Sequence, residues 1–340
     1  MSIANFQASE INAFCRRATN IAHCYRRRLA PGAEIGHTRE MSAEPEIWAV
    51  ADGRRGVENQ AIGLAEALAR ETGGQVHRAL IRDDGYVTLP DAENPAIWIG
   101  CGRPAIDVAK KHRKNYPKAR FIYVQDPRGQ YQLFDTIVAP AHDQLTRQNA
   151  LAMIGSPNRL TKERLTTERE KFADRLAPFP APRAALLVGG PNKRLTMTAE
   201  VQASLLDRAR WLMDNGYTLM ITTSRRTPAP LVRALSALAT DDRCWVYSGE
   251  GDNPYFAFLA AADLIFVTED STNMLTEAAF TGTPVYSLPL EGNPGKFRLL
   301  HAALEARNAL RPCLGKIDRW TYEPLDETRR IAKLLANSFI

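Results

Sequence analysis

Short runs of consecutive apolar residues alternate along this chain with longer stretches whose apolar positions recur every three or four residues. "EIWAVAD" (46–52), "QVHRALI" (75–81), "AIWIGCG" (96–102), "RFIYVQD" (120–126) and "DTIVAP" (135–140) predict short buried strands. "ENQAIGLAEALARETG" follows the first and predicts a helix ended by Gly73 and Gly74; "RPAIDVAKKHRKNY" predicts a basic helix after the third. "HDQLTRQNALAMIG" leads into a charged helical stretch that turns proline- and alanine-rich at 177–183. A second series then opens, with strands at 184–190, 217–224, 243–249, 264–270 and 284–290 and helices at 197–215, 228–239, 254–262 and 272–281. Such alternation predicts two successive doubly wound α/β domains with parallel sheets covered on both faces. The expected organisation is an extension (1–44), a first domain (45–176), a linker (177–183), a second domain (184–300) and a helical C-terminal segment (301–340). Two such domains imply a cleft, with ligands at the carboxyl ends of the strands.

Length and composition agree with that picture. The chain has 340 residues, 45% hydrophobic and 24% charged, ordinary for a globular protein of two domains at roughly 150 residues each. No apolar run reaches the roughly 18 residues a membrane-spanning helix needs, which leaves at most a peripheral membrane contact. The net charge is +6, and residues 1–40 hold +3 of it through Arg16, Arg17, Arg26, Arg27, Arg28 and Arg39 against Glu10, Glu34 and Glu40. No basic stripe with interleaved aromatics runs elsewhere, so nucleic acid is not an expected partner. Cys15, Cys24, Cys101, Cys244 and Cys313 are scattered without ligand spacing, which predicts no metal site and a reducing, cytoplasmic setting. The arginine-rich leader is not a secretory signal, and Met41, just before the first strand, is a plausible start.

Chemistry concentrates in the loops after strands. "VADGRRGVENQA" (50–61) offers Asp52 as a base with Arg54 beside it; "IGCGRPAI" (99–106) offers Arg103, and "VQDPRG" (124–129) Asp126 and Arg128. "APAHDQL" (139–145) sets His142 beside Asp143, a pair fit either for general base catalysis or for a structural hydrogen bond. In the second series Gly189 and Gly190 permit close approach of a phosphate, with Lys193 nearby. "ITTSRRTP" (221–228) gathers Ser224, Arg225 and Arg226 as an anion site requires. In "VTEDSTNMLTEAAFTGTPV" (267–285) Ser271 or Thr272 caps a helix that carries Glu277, while Glu269 and Asp270 have no evident role.

"VADGRRGVENQAIGLAEAL", "TTSRRTP" and "VTEDSTNMLTEAAFTGTPV" resemble the elongated-mitochondria family of mitochondrial fission proteins and their bacterial homologues, over roughly residues 47–300. That family resembles GT-B glycosyltransferases, which implies two Rossmann-like domains facing across a cleft. The resemblance implies a nucleotide-diphospho-sugar substrate with no further cofactor and no metal. Gly189, Gly190, Lys193, Ser224, Arg225, Arg226, Ser271 and Thr272 would then face the diphosphate, and Glu277 the ribose. Asp52, Asp126 and His142 would supply catalysis, and Arg54, Arg103 and Arg128 would hold a saccharide or lipid-linked acceptor. The plant members imply another role, recruitment of a partner in fission. A nucleotide-sugar epimerase would share fold and donor.

Overall fold

The computed structural model describes residues 44–247 and 249–338, so the basic extension and Met41 lie outside the described residues apart from Glu44. By internal contacts the chain forms two units. The first runs to Arg159 and resumes at Asp326; the second is Leu160–Leu325.

The first unit is a seven-stranded sheet in the order β3-β2-β1-β4-β5-β6-β7. Its elements are β1 (Glu46–Ala51), α1 (Arg55–Thr72), β2 (Gln75–Ile81), β3 (Val87–Thr88), β4 (Ile97–Cys101), α2 (Arg103–Asn115), β5 (Arg120–Val124), β6 (Thr136–Pro140) and β7 (Ala150–Met153). All neighbours pair in parallel except β2 and β3. The period-two geometry of a strand explains why "EIWAVA" is apolar at nearly every position. Ile47, Ala49 and Ala51 pack on one face with α1, and Trp48 and Val50 on the other with α2.

The second unit begins with α3 (Lys162–Lys171) and α4 (Ala173–Leu176). It continues through β8 (Arg183–Val188), β9 (Leu195–Thr196), α5 (Ala199–Asp214), β10 (Thr218–Thr223), α6 (Ala229–Ser236), β11 (Cys244–Val246) and α7 (Tyr255–Ala261). Then come β12 (Leu264–Thr268), α8 (Thr272–Phe280), β13 (Val285–Leu288), β14 (Glu291–Gly292), α9 (Phe297–Ala306) and β15 (Leu310–Pro312). Its six-stranded sheet, β11-β10-β8-β12-β13-β15, is parallel throughout. Thr223 lies opposite Val188, and Val267 opposite Leu187, so β8, β10 and β12 end level with one another. The strand order reverses between β8 and β12, as it does between β1 and β4 in the first unit. Such reversals open a crevice at the strands' carboxyl ends.

The units divide at Arg159/Leu160 and not at the proline-rich stretch 177–183. That stretch lies inside the second unit, because Leu176 and Phe179 are buried there and Phe179 stacks on Trp245 at 6.0 Å. The segment after residue 300 is not a uniform helical tail either. It adds β15 to the second sheet and then returns to the first unit as α10 (Glu327–Asn337). Ile331 and Leu335 of α10 are buried against the face that α1 covers, each burial contributing roughly 1.5–3 kcal/mol. Glu327 fixes the start of α10 by accepting the Ile154 amide at 2.8 Å and pairing with Arg330.

Candidate functional site

The second unit's switch point is built around one carboxylate. The Asp270 side chain is 0% exposed. It accepts from the Thr268 hydroxyl at 2.7 Å, the Gly190 amide at 3.1 Å and Nη2 of Arg226 at 2.7 Å. A buried carboxylate is tolerated only when charge and hydrogen bonds compensate it, and Asp270 receives both. Thr268 also accepts the Gly189 amide at 2.7 Å. Arg226 donates as well to the carbonyls of Gly190 and Pro191, both at 3.1 Å. Thr227 closes the ring: its hydroxyl donates to the Gly189 carbonyl at 2.5 Å and accepts the Ser224 amide at 2.9 Å. The exits of β8, β10 and β12 are thereby one hydrogen-bonded unit.

This network accounts for the two glycines. A Cβ at Gly189 would overlap the Asp270 carboxylate, and one at Gly190 the Arg226 backbone. The close approach expected for a phosphate is thus occupied by protein atoms at both positions. Ser224 belongs to the same ring, its hydroxyl accepting the Arg226 amide at 3.1 Å. Arg225 and Lys193 are exposed, with no ion-pair partner among the described residues. Ser271 caps α8, accepting the Met274 amide at 3.4 Å, and Thr272 is the first helical residue. Glu269, adjacent to Asp270, serves the neighbouring strand instead, accepting the Leu290 amide at 2.7 Å.

Glu277 stands apart from that ring. It is partly buried and accepts the Tyr255 hydroxyl at 2.6 Å, from the first residue of α7. Burial pushes its carboxyl up to about 7, against the opposing pull of the Tyr255 bond and the Arg164 charge. Burial and the facing carboxylate hold the Tyr255 hydroxyl well above its usual range, so it remains the donor.

In the first unit, Asp52 ends β1 and pairs with Arg54 at 2.6 Å; its side chain is 13% exposed. Gly102, at φ 85°, leads into α2 beside this pair, and any Cβ there would overlap Val57. Arg103 is exposed as the first residue of α2. Asp126 accepts the Arg128 amide at 2.8 Å in a tight turn, and both residues, with Arg103, act on the buried Tyr123 hydroxyl. The preceding Gln125 has φ 91°, a costly conformation for a residue with a side chain; its side-chain Nε2 donates to Oε1 of Gln60 at 3.1 Å. His142 is buried, its side chain 4% exposed, 3.6 Å from Asp143.

The structure therefore gathers Gly189, Gly190, Ser224 and Arg226 into one cluster, and Asp52 with Arg54 into another. Thr268 and Tyr255 are the participants that sequence reasoning missed; Thr227 stood in the expected anion loop, and Asp270 was noted without a role. The acid pair after β12 was visible in the sequence without saying which of Glu269 and Asp270 is the buried one; Tyr255 carried no signal, being 22 residues from Glu277.

The family described as Mitochondrial fission ELM1 matches residues 55–339. The mitochondrial fission protein ELM1 of Arabidopsis thaliana is 26% identical over 301 residues, spanning 78% of this chain and 70% of that protein. An uncharacterized Rickettsia prowazekii protein, RP120, is 24% identical over 85% of this chain and 97% of its own length. Among solved structures, UDP-GlcNAc 2-epimerase from Methanocaldococcus jannaschii superposes with a TM-score of 0.51 at 10% identity, covering 87% of this chain and all of that one (100%). The Neisseria meningitidis UDP-GlcNAc 2-epimerase bound to UDP-GlcNAc gives 0.50 at 11% identity, with 86% and 99% covered. These likenesses show the fold, which is GT-B-like as the sequence resemblance implied.

Two outcomes are expected. Gly189→Ala should lower unfolding free energy by about 1–3 kcal/mol in chemical denaturation, because the fixed Asp270 carboxylate leaves no room for a methyl group. The folded protein holds the Glu277 proton to about pH 7, whereas the ordinary value is 4.5. The folded state thus binds more protons in that window, and this contribution to stability falls as pH rises through it. Glu277→Gln should flatten the pH profile of stability there by up to ~3 kcal/mol.

Proposed function

This chain belongs to the mitochondrial fission ELM1 family, and we propose that it is a GT-B-type transferase moving a sugar from a nucleoside diphosphate to an acceptor hydroxyl. The observation that carries the reading is the second unit's switch point, where three level strand exits are locked together beside the start of α8 and the exposed Arg225. Helix-start amides and a guanidinium suit the departing diphosphate, which takes the electron pair of the sugar–phosphate bond as it breaks. Negative charge is carried by these groups without a metal ion. Glu277, held by the Tyr255 hydroxyl, is the carboxylate assigned to a ribose hydroxyl in this reading.

Catalysis needs a base to take the proton of the acceptor hydroxyl as its oxygen bonds to the sugar. Asp52 suits this better than His142, being the more accessible at 13% against 4% exposure. Asp126, Arg54, Arg103 and Arg128 are assigned to the acceptor side, a saccharide or lipid-linked acceptor of the cell envelope. Among the described residues no helix is long and apolar enough to cross a membrane. A cytoplasmic protein, in peripheral membrane contact through its acceptor, is the setting proposed. Similarity to the Arabidopsis fission protein, at 26% identity, favours a second reading, a non-catalytic recruiter on the same scaffold.

Calorimetric titration with UDP-, GDP-, CMP- and ADP-sugars separates the two. The transferase reading expects one nucleotide class to bind at about 1 μM–1 mM, the usual range for enzyme substrates. Arg225→Ala should weaken that binding about tenfold, as loss of one charge-assisted hydrogen bond does. Absence of binding by every sugar nucleotide overturns it and leaves the recruiter.

A further inference from the structure

We propose that Arg226 and Asp270 form an internally neutral clamp that positions the three strand-exit loops, so that Arg225 is the guanidinium that meets the diphosphate. The inference rests on reading the second unit's switch point as a diphosphate site. It departs from the expectation that both arginines of the loop share that task.

The donors of Arg226 are already committed. A guanidinium has five N–H groups in a planar fork and is always charged. That of Arg226 already engages three protein acceptors: Asp270 at 2.7 Å, and the Gly190 and Pro191 carbonyls at 3.1 Å each. Its counter-charge is fixed, because the fully buried Asp270 is held from two other directions by Thr268 and the Gly190 amide. Withdrawing Arg226 toward a ligand would strand a carboxylate in the protein interior, among the costliest of single changes. Arg225, one residue earlier, faces solvent with no ion-pair partner among the described residues. Both arginines are exposed, Arg226 with 47% of its side chain accessible, so what separates them is that the Arg226 guanidinium is bonded to the loop and to Asp270. Arg226 is a positioning residue here, and Asp270 is what makes it one.

Arginine modification in the full-length protein tests this. Phenylglyoxal would be applied with and without inorganic pyrophosphate or UDP, and modified sites mapped by mass spectrometry. In the wild type, Arg225 should react about tenfold faster than Arg226, the protection one charge-assisted interaction gives. Pyrophosphate and UDP should slow Arg225 and leave Arg226 unchanged. Asp270→Asn should bring the Arg226 rate up to that of Arg225, a change that a purely structural arginine would not show in a variant whose circular dichroism is intact. If Asp270→Asn fails to fold, Thr268→Val, which removes one support of the carboxylate, should raise the Arg226 rate in the same direction. Equal rates in the wild type, or ligand protection falling on Arg226, overturn the clamp. If neither ligand protects either arginine, the diphosphate reading fails, and the rate in the Asp270 or Thr268 variant still decides the clamp.

Discussion

A carboxylate removed completely from water sets the terms for the second half of this protein. Asp270 needs neutralising donors, and the fold supplies them from three strands at once: the Thr268 hydroxyl, the Gly190 amide and the Arg226 guanidinium. Other features then cease to be free choices. Residue 189 must lack a side chain because the carboxylate fills that space, and residue 190 because the Arg226 backbone does. Thr227 must carry a hydroxyl to close the ring between Gly189 and Ser224. Removing any one partner leaves a buried polar group without its complement, which is why such networks hold or fail as units.

Topology explains why the network sits where it does. In both sheets the strand order reverses beside the first strand of the unit, the place where open α/β sheets bind ligands. The two units fill that position differently. The first has the Asp52–Arg54 pair beside Gly102, with Gln60 holding the strained Gln125. The second has the Asp270 ring. Partly exposed ionic chemistry in one and buried, fully compensated chemistry in the other suit different tasks. An accessible carboxylate can take a proton, whereas a sealed one organises the loops around it.

Most of the architecture was legible in the sequence, because completely buried parallel strands are continuous apolar runs and helix ends are marked by Gly73 and Ser271. Strands β3, β7, β9, β14 and β15 were not, since runs of two to four residues are too short for their pattern to stand out. The unit boundary was misplaced for a comparable reason. Proline and alanine at 177–183 look like a linker, but Leu176 and Phe179 anchor that stretch in the second core. In the site, adjacent Glu269 and Asp270 are indistinguishable by composition. Their roles separate only in three dimensions, where Asp270 meets an arginine 44 residues away and Glu269 meets the Leu290 amide.

Asp270 is proposed to organise three strand exits into a site for a diphosphate. A crystal structure of the protein soaked with UDP measures this most directly. The diphosphate is expected beside Ser271 and Arg225, with the Asp270–Arg226 contact retained at its present 2.7 Å. A diphosphate bound away from these loops, or an Arg226 that has left Asp270 to reach it, would contradict the account.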